Sequence, residues 1–312
     1  MKKVMVIDSA NLYHFYKHSW VNNSVDNIIE PFLQEIQRLV HIHNPNIIVL
    51  GNDETKSRYR GELVKDYKSG RLKQQKKYTN RQLQAEDLVK AIKKNLYQFE
   101  GLFVYGGVKD VECDDILGML YNDSRLSDYE ILIVSQDKDL STVIPKTSIY
   151  DWKKDRFKNS EDTLGFTRNQ FLTYQALMGD SVDSFSGVKG CGKGTAEKLV
   201  TRYKDINSLL QNCYQDSLNE PDRFVRKALE RLSFPEGRAE LKLGYDLAKI
   251  MRDTSLLNDS EKEEYEKIVQ KILTYKKPEQ GNFVSKDLDE FFLESGAFQA
   301  EQIINDIGGF IL

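Results

Sequence analysis

Acidic residues follow four short apolar runs of this sequence, and this pattern constrains the fold more than any other feature. The runs occupy residues 4–7, 46–50, 102–105 and 131–134. Strands this short and this continuously apolar are typical of a parallel sheet covered on both faces. Helical patterns alternate with them at residues 26–42, 82–96 and 114–121. We therefore expect a doubly wound, mainly parallel α/β domain over residues 1–165.

The chain changes character after about residue 165. Residues 166–312 are mainly helical in pattern and are broken by a glycine-rich stretch at 187–194. The sequence thus predicts an α/β domain followed by a mainly helical region.

The charge distribution is more informative than the net charge of −3, which alone argues against a nucleic-acid partner. Residues 55–79 form a polar, basic segment in which tyrosines are interleaved with lysines and arginines. Acidic residues gather elsewhere, so the molecule is electrostatically dipolar. A connection of this length between regular elements is commonly functional.

Cellular context follows from two further features. No apolar run approaches the ~20 residues that span a bilayer, so we expect no membrane association. The three cysteines are far apart and lack metal-site spacing, which favours reduced thiols in a cytoplasmic protein of a bacterial cell or phage-infected host.

The carboxylates that follow the four runs are the candidate site. They are Asp8, Asp53, Glu112, Asp114, Asp115, Asp137 and Asp139. One aspartate after a strand is usually a helix cap or a turn residue. Ligands, however, bind outside the carboxyl ends of the strands in an open parallel sheet, where four strands would bring all seven carboxylates to one rim.

So many like charges in one crevice require cations to neutralise them. Oxygen ligands select Mg²⁺ or Mn²⁺ rather than Zn²⁺, and all four histidines lie in the first 43 residues without zinc-site spacing. Two Mg²⁺ ions about 4 Å apart suit phosphodiester hydrolysis, and the basic segment would position phosphates. The residues therefore predict a metal-dependent enzyme acting on nucleic acid.

Six motifs in order resemble those of the structure-specific 5′ nucleases, which include phage flap endonucleases and the 5′-nuclease domain of bacterial DNA polymerase I. The motifs are VIDSAN, VLGNDETKSRYR, VKDYKSGR, VECDD, SQDKDL and MGDSVDSFSGVKGCGKGTA. The last one adds Asp180 and Asp183, and Ser184 replaces the family's usual asparagine. The resemblance covers roughly residues 1–250.

The resemblance implies a PIN-like fold and a two-metal flap endonuclease and 5′–3′ exonuclease of DNA replication or repair. Nine carboxylates would hold two Mg²⁺ ions, with Mn²⁺ able to substitute, and Lys68 and Arg71 would act on the scissile phosphate. Segment 55–79 would form a helical arch around a single-stranded 5′ end, with Arg58, Arg60 and Tyr67 on the DNA.

The glycine-rich stretch resembles a phosphate-binding P-loop but fails the pattern, because Gly194 replaces the metal-binding Ser or Thr. We interpret it instead as a turn whose backbone N–H groups approach a DNA phosphate. A helix then opens at Thr195. By resemblance this is a helix–three-turn–helix element over 180–205 that grips duplex DNA by shape, with K⁺ bound at the turn. The expected DNA contacts there are Gly187, Lys189, Gly190, Gly192 and Lys193.

Two alternatives remain open at this point. One is a branched-DNA-binding relative without catalysis, although none of the matched carboxylates is missing. The other is a small toxin-like ribonuclease, a class that is shorter and lacks the glycine-rich element. We expect branched or 5′-ended DNA as the substrate. An RNA/DNA hybrid stays open, because metal ions that act on phosphates do not by themselves distinguish an RNA primer from a DNA flap. A single-strand DNA-binding protein is a candidate partner, and we expect a monomer.

Overall fold

A six-stranded sheet organises the first half of the chain in the computed structural model, which describes residues 1–23, 29–69, 103–181, 183, 185–276 and 297–311. The strands are Lys2–Asp8 (β1), Ile47–Asn52 (β2), Phe103–Gly107 (β3), Tyr129–Val134 (β4), Ile149–Asp151 (β5) and Arg156–Phe157 (β6). Their order across the sheet is β3-β2-β1-β4-β5-β6. The first five are parallel, and β6 pairs antiparallel with β5 at the edge.

Both faces of the sheet are covered, as the continuous apolar strands require. Successive residues of β1 point to opposite faces, so Met5 and Ile7 enter one hydrophobic cluster while Val4 and Val6 enter the other. All four of these side chains are fully buried. The protein is therefore a three-layer α/β/α structure in this half, and the sheet is fixed in register by burial on both sides.

Helices supply the outer layers and the second half of the chain. In the described ranges they are Ser9–Asn23 (α1), Ile29–His43 (α2), Arg58–Leu63 (α3), Cys113–Asn122 (α4), Arg168–Met178 (α5), Lys193–Arg202 (α6), Ile206–Ser217 (α7), Arg223–Ser233 (α8), Pro235–Ala248 (α9), Asp259–Leu273 (α10) and Ala300–Ile311 (α11). Helices α1, α2 and α11 cover one face of the sheet, and α4 and α10 cover the other. None of the helices in the described ranges is long and apolar enough to cross a membrane.

Helices α5 to α9 enclose a separate hydrophobic cluster. A two-stranded hairpin, Gly179–Asp180 (β7) and Phe185–Ser186 (β8), joins α5 to the glycine-rich turn that precedes α6. Gly179 has a φ of +72°, a backbone conformation that favours glycine and ends α5 sharply. Because of this turn, the hairpin projects Asp180 back toward the sheet domain.

The structure confirms the doubly wound sheet and the helical second half. It also adds elements that the sequence did not predict: helix α1 and strands β5 and β6. Helix α6 begins at Lys193, two positions before the predicted Thr195. The predicted helix at 82–96 lies outside the described residues.

Candidate active site

The order of the sheet reverses at β1, which lies between β2 and β4, and this switch point opens a crevice at the carboxyl ends of the strands. Ile7 of β1 pairs with Val134 of β4, so the next residues, Asp8 and Ser135, face each other. The Ser135 hydroxyl donates a 2.8 Å hydrogen bond to Asp8 Oδ2. The first predicted ligand is therefore placed where α/β sheets bind ligands.

A polar cavity of about 480 Å³ opens at this end of the sheet. Six of the nine predicted ligands line it: Glu112, Asp114, Asp137, Asp139, Asp180 and Asp183. Three cationic side chains, Arg60, Lys68 and Lys138, line it as well. The hairpin between α5 and α6 supplies Asp180 and Asp183, so the sheet domain and the helical region build the cavity together.

Four carboxyl groups in and behind the cavity have raised pKa values, so the protein's own cations and hydrogen bonds do not fully offset the cost of burying their charge. Burial and the neighbouring carboxylates raise the pKa of Asp8 and of Asp139 to about 7. Burial, followed by the charges of Asp137, Asp8 and Asp53, raises the pKa of Asp114 well above its usual value. Burial also raises the pKa of Asp137. We call Asp8, Asp114, Asp137 and Asp139 the open acidic cluster.

Hydrogen bonds from backbone N–H groups hold two of the predicted ligands, Asp8 and Asp53, in place. Asp8 Oδ1 accepts a 3.0 Å hydrogen bond from the Asn11 N–H and so caps α1. Asp53 Oδ1 accepts a 2.7 Å bond from the Cys113 N–H at the start of α4. Asp8 therefore does cap a helix, as a lone aspartate after a strand usually does. Capping is compatible with a second role, because it uses one carboxylate oxygen and leaves the other for another partner.

The donor chemistry of the cavity fits hard divalent cations. The carboxylates that line the cavity offer oxygen atoms, which hard divalent cations prefer as ligands. One of these atoms, Asp139 Oδ1, is buried with no hydrogen-bond partner among the described residues. In those same residues, no three His, Cys, Asp or Glu side chains already stand close enough to hold one metal ion. Metal binding would therefore draw the carboxylates together, and the assignment of ligands stays a prediction.

Lys68 lies at the mouth of the cavity, with its Nζ 2.7 Å from Glu112 Oε1 and 3.8 Å from Asp183 Oδ1. Burial raises the pKa of Glu112, but Lys68 and Arg60 outweigh this and hold that pKa below its usual value. Lys68 adopts a left-handed φ of +54°, and its N–H bonds the Asp183 carbonyl at 3.2 Å. The second predicted phosphate-binding residue, Arg71, lies outside the described residues.

Asp115 was predicted as a metal ligand, but the structure places it outside the cavity lining and pairs it with Arg60. Its Oδ2 lies 2.5 Å from Arg60 Nη1, and its Oδ1 accepts from Arg60 Nη2 and from the Met251 N–H, each at 3.0 Å. The side chain is fully buried. Neighbouring helical residues point about 100° apart, so Asp114 enters the cavity while Asp115 enters the protein interior.

Arg60, predicted to contact DNA, lies in the wall of the cavity but is almost fully buried and held by partners within the protein. Besides Asp115, its guanidinium donates to the Leu247 and Lys249 carbonyls at 2.9 and 3.0 Å. Although burial lowers its pKa, the charges of Asp115 and Glu112 raise that pKa well above the usual value. Arg60 joins α3, α4 and the end of α9 into one buried network.

Two more predicted DNA contacts from the basic segment have intramolecular partners. Arg58 bonds both oxygens of Glu261 at 2.8 and 2.9 Å and pairs with Glu62. Tyr67 is buried in the cavity wall, with its hydroxyl 3.1 Å from Glu112 Oε2. Residues 55–69 are therefore packed structure that includes α3, and they do not form an open arch. Residues 70–79 lie outside the described residues.

The glycine-rich turn exposes part of its backbone. Gly190 has a φ of +84°, and a side chain there or at Gly192 would meet open space. Lys193 is exposed, whereas the Lys189 N–H is bound to Glu240 at 3.1 Å. Gly187 is required for packing, because a Cβ there would lie 2.1 Å from the Leu177 carbonyl oxygen; its predicted DNA contact stays a prediction.

Sequence reasoning missed three residues around the cavity. Ser135 binds Asp8, Lys138 lines the cavity between two acidic residues, and Lys158 Nζ donates to the Gln136 carbonyl at 2.7 Å. Ser135 and Lys138 are themselves part of the SQDKDL motif, and this was a usable signal. Lys158 follows β6, a strand too short to be recognised in the sequence.

Comparison with known proteins agrees with this geometry. The family model "5′-3′ exonuclease, N-terminal resolvase-like domain" matches residues 3–171, and "5′-3′ exonuclease, C-terminal SAM fold" matches residues 166–271. Fold and site thus define a two-part nuclease architecture. The chain belongs to the 5′–3′ exonuclease family.

Curated relatives of this chain include a flap endonuclease, a 5′-3′ exonuclease and a DNA polymerase I. The chain is 28% identical to the flap endonuclease Xni of Shewanella sp. (strain MR-4), over 82% of this chain and 93% of that one. It is 27% identical to a 5′-3′ exonuclease of Mycoplasmopsis pulmonis (strain UAB CTIP), over 70% and 72%. It is 25% identical to DNA polymerase I of Bacillus subtilis (strain 168), over 82% of this chain but 28% of that protein.

Solved structures share the fold. The bacteriophage T5 flap endonuclease, solved in a complex with DNA and metal ions, superposes with a TM-score of 0.69 at 17% identity, covering 86% of this chain and 98% of that one. The T5 5′-exonuclease with bound divalent zinc ions also gives 0.69, at 20% identity, covering 88% and 99%. The expected fold of a sheet domain followed by a helical region is thus confirmed.

Proposed function

We propose that this protein is a flap endonuclease and 5′–3′ exonuclease that hydrolyses phosphodiesters in branched or 5′-ended DNA with two divalent cations, Mg²⁺ in the cell. The observation that carries the proposal is the open acidic cluster: buried carboxylates at the sheet's switch point whose mutual repulsion calls for cations. The similarity to Xni along 93% of that enzyme supports the same activity.

The ligands proposed for the two cations are Asp8, Asp53, Glu112, Asp114, Asp137, Asp139, Asp180 and Asp183. Bound divalent cations would supply an activated water and stabilise the leaving oxygen. The protein's own contribution is to hold these oxygen donors at one rim and to keep Lys68 beside them. We assign Lys68 and Arg71 to the scissile phosphate, as charges that stabilise the transition state.

Contacts to the DNA backbone are proposed at the glycine-rich turn, where Gly190 and Gly192 leave the backbone open and Lys193 is exposed. Lys189 adds a second surface cation. Since such contacts read no bases, binding should depend on DNA shape and on salt. K⁺ at this turn, a monomeric state, a single-strand DNA-binding protein as partner, and the division into domains at residue 165 remain predictions.

The direct test is cleavage of a 5′-labelled flap substrate with Mg²⁺, Mn²⁺ or EDTA. Wild type should cut near the branch only with a divalent cation, and Asp137→Asn should lower the rate by about 100-fold or more without weakening DNA binding. The matched control is Asp128→Asn, because Asp128 precedes β4 at the opposite end of the same strand and is exposed. Control and wild type should cleave equally.

Each other outcome has a definite meaning. Flap binding without cleavage in either cation would make the protein a non-catalytic branch-binding relative. Equal loss in Asp128→Asn would show that the effect of Asp137→Asn is not specific to the cavity. A flap with an RNA 5′ segment, run in parallel, would decide whether RNA primers are also substrates.

Lys68 is tested separately by Lys68→Met, which keeps the length of the side chain and removes its charge. We expect a lower single-turnover cleavage rate with an unchanged DNA dissociation constant, since the charge acts on the transition state. An equal loss of DNA affinity would instead place Lys68 in substrate binding alone.

A further inference from the structure

Exposed apolar side chains are concentrated on one part of the helical region, away from the acidic cavity. Of the twelve large hydrophobic side chains exposed in the described ranges, four lie between positions 214 and 234. Three of them, Tyr214, Leu218 and Phe234, are 63%, 59% and 60% exposed and line one groove of about 670 Å³. An apolar concavity of this size commonly receives a ligand or a partner side chain.

The groove is formed by α7, α8 and the segments that follow them. Helix α8 buries Val225, Ala228, Leu229 and Leu232 in the hydrophobic cluster of the helical region. Its other face carries Arg223, Arg226 and Lys227 along the groove. The apolar floor and the basic wall therefore stand on a rigid helix pair.

The three cations of the basic wall, Arg223, Arg226 and Lys227, differ from nearby cations of the helical region, which are in ion pairs. Arg231 pairs with Glu240, Lys198 with Asp222 and Arg202 with Glu220. Within the described residues, none of the three wall cations lies in an ion pair, and Glu230 is the one acidic residue lining the groove. The groove thus presents net positive charge around an apolar floor.

We propose that this groove, which we call the α7–α8 groove, docks an acidic peptide segment of another protein that carries one or two large apolar side chains. The apolar side chains would fill the floor between Tyr214 and Phe234, and aspartates or glutamates would pair with Arg226 and Lys227. Charge complementarity selects an acidic partner, and the exposed aliphatic side chain of Leu218, which offers no face on which a base could stack, favours a peptide with large apolar side chains. The site is independent of the proposed nuclease activity.

The test uses the full chain and a fluorescent decapeptide in which Phe and Leu are flanked by aspartates, with binding followed by fluorescence anisotropy. Wild type should bind it, and replacing either the two apolar residues by Ser or the aspartates by Asn should weaken binding about tenfold or more. Phe234→Ser and Arg226→Glu in the protein should each do the same.

Matched controls separate the groove from general surface effects. Phe298→Ser removes an equally exposed aromatic side chain elsewhere, and Lys271→Glu reverses an exposed charge on α10. Both should bind the peptide as wild type does. Tyr214→Ser, on the other helix, guards against local unfolding in Phe234→Ser, and circular dichroism of each variant should match that of wild type.

Three results would overturn the proposal. The first is equal peptide binding by groove and control variants, or none by wild type. The second is loss of duplex-DNA affinity in Arg226→Glu together with full displacement of the peptide by duplex DNA, which would make the groove a nucleic-acid surface. The third is a dimer in sedimentation equilibrium that Phe234→Ser dissociates, which would make it a contact between two copies of this chain.

Discussion

Two parallel strands of the sheet, β1 and β5, lie on either side of β4 and end in aspartates with opposite environments. Asp8 at the end of β1 belongs to the open acidic cluster, where burial and like charges raise the pKa values. Asp151 ends β5 at the same edge of the sheet, but Lys154 and Lys158 lie 3.7 and 3.6 Å away. An aspartate at the end of a strand is therefore not by that position alone a candidate cation ligand. The deciding factor is whether cationic side chains of the protein already neutralise its charge.

Asp162, beside Asp151, shows how complete that neutralisation is. Lys154 and Arg156 lie 2.6 and 3.0 Å from its two oxygens, and the Asn159 N–H donates to it at 2.9 Å. Burial raises its pKa, but these partners outweigh burial and hold the pKa well below its usual value. We call Asp115, Asp151 and Asp162 the paired carboxylates. Removing their charge should destabilise the fold, whereas removing charge from the open cluster should not.

The largest effect is expected for Asp115→Asn, which leaves the Arg60 guanidinium buried beside a neutral amide. We expect the free energy of unfolding to fall by about 3–5 kcal/mol, measured by urea denaturation. Asp128→Asn should change it by less than about 0.5 kcal/mol. Since Asp115 lies outside the cavity lining, we expect Mg²⁺ still to raise the melting temperature of Asp115→Asn. Loss of that Mg²⁺ response would return Asp115 to the metal site.

A smaller loss, about 1–2 kcal/mol at pH 7, is expected for Asp162→Asn, because its partners are partly exposed. A carboxyl group whose pKa is lowered by folding stabilises the protein above its unfolded value of 3.8 and loses that contribution as the pH falls. The difference between variant and wild type should therefore shrink below pH 4. A constant difference at all pH values would mean that the charge is not the cause.

The smallest effect, with the opposite sign, is expected for Asp139→Asn without divalent cations. The pKa of Asp139 rises from 3.8 to about 7 on folding, so the folded protein binds more protons at this group between those values. Its contribution to stability is present at low pH and is lost as the pH rises toward 7. Asp139→Asn should thus be more stable than wild type at pH 8, by on the order of 1 kcal/mol.

Mg²⁺ should make wild type more stable than Asp139→Asn at pH 8, the reverse of the order expected without the cation. This result would separate the open acidic cluster from the paired carboxylates. A cation bound only by the folded protein raises stability by about 2.7 kcal/mol at 100 times its dissociation constant. Wild type should gain this stabilisation at pH 8 and Asp139→Asn should gain much less, as seen by thermal melting. An equal gain in both proteins would place the cation away from Asp139.

Much of the sheet was predictable because burial on both faces leaves a visible mark on the sequence. Strands β1, β2, β3 and β4 are apolar runs and were recognised within a few residues. Strands β5 and β6 have only three and two residues. They form because β4 offers an edge to β5 and β5 offers an edge to β6, and such pairing partners are not visible in the local sequence. Helix α1 mixes aromatic and polar residues, so it shows no clear stripe, and contact with the sheet buries Leu12 and Tyr13.

Strands β1 to β4, the acidic residues at their carboxyl ends and the family could be predicted from the sequence, because each depends on residues close together in the chain. Only the tertiary structure decided which of those carboxylates are open. Asp115 is paired by Arg60, 55 positions earlier, and by Met251, 136 positions later, while Asp114 beside it faces the cavity. The electrostatic environment of a carboxylate is set by distance in space, and partners so far apart in sequence are brought within 3 Å of it only by folding.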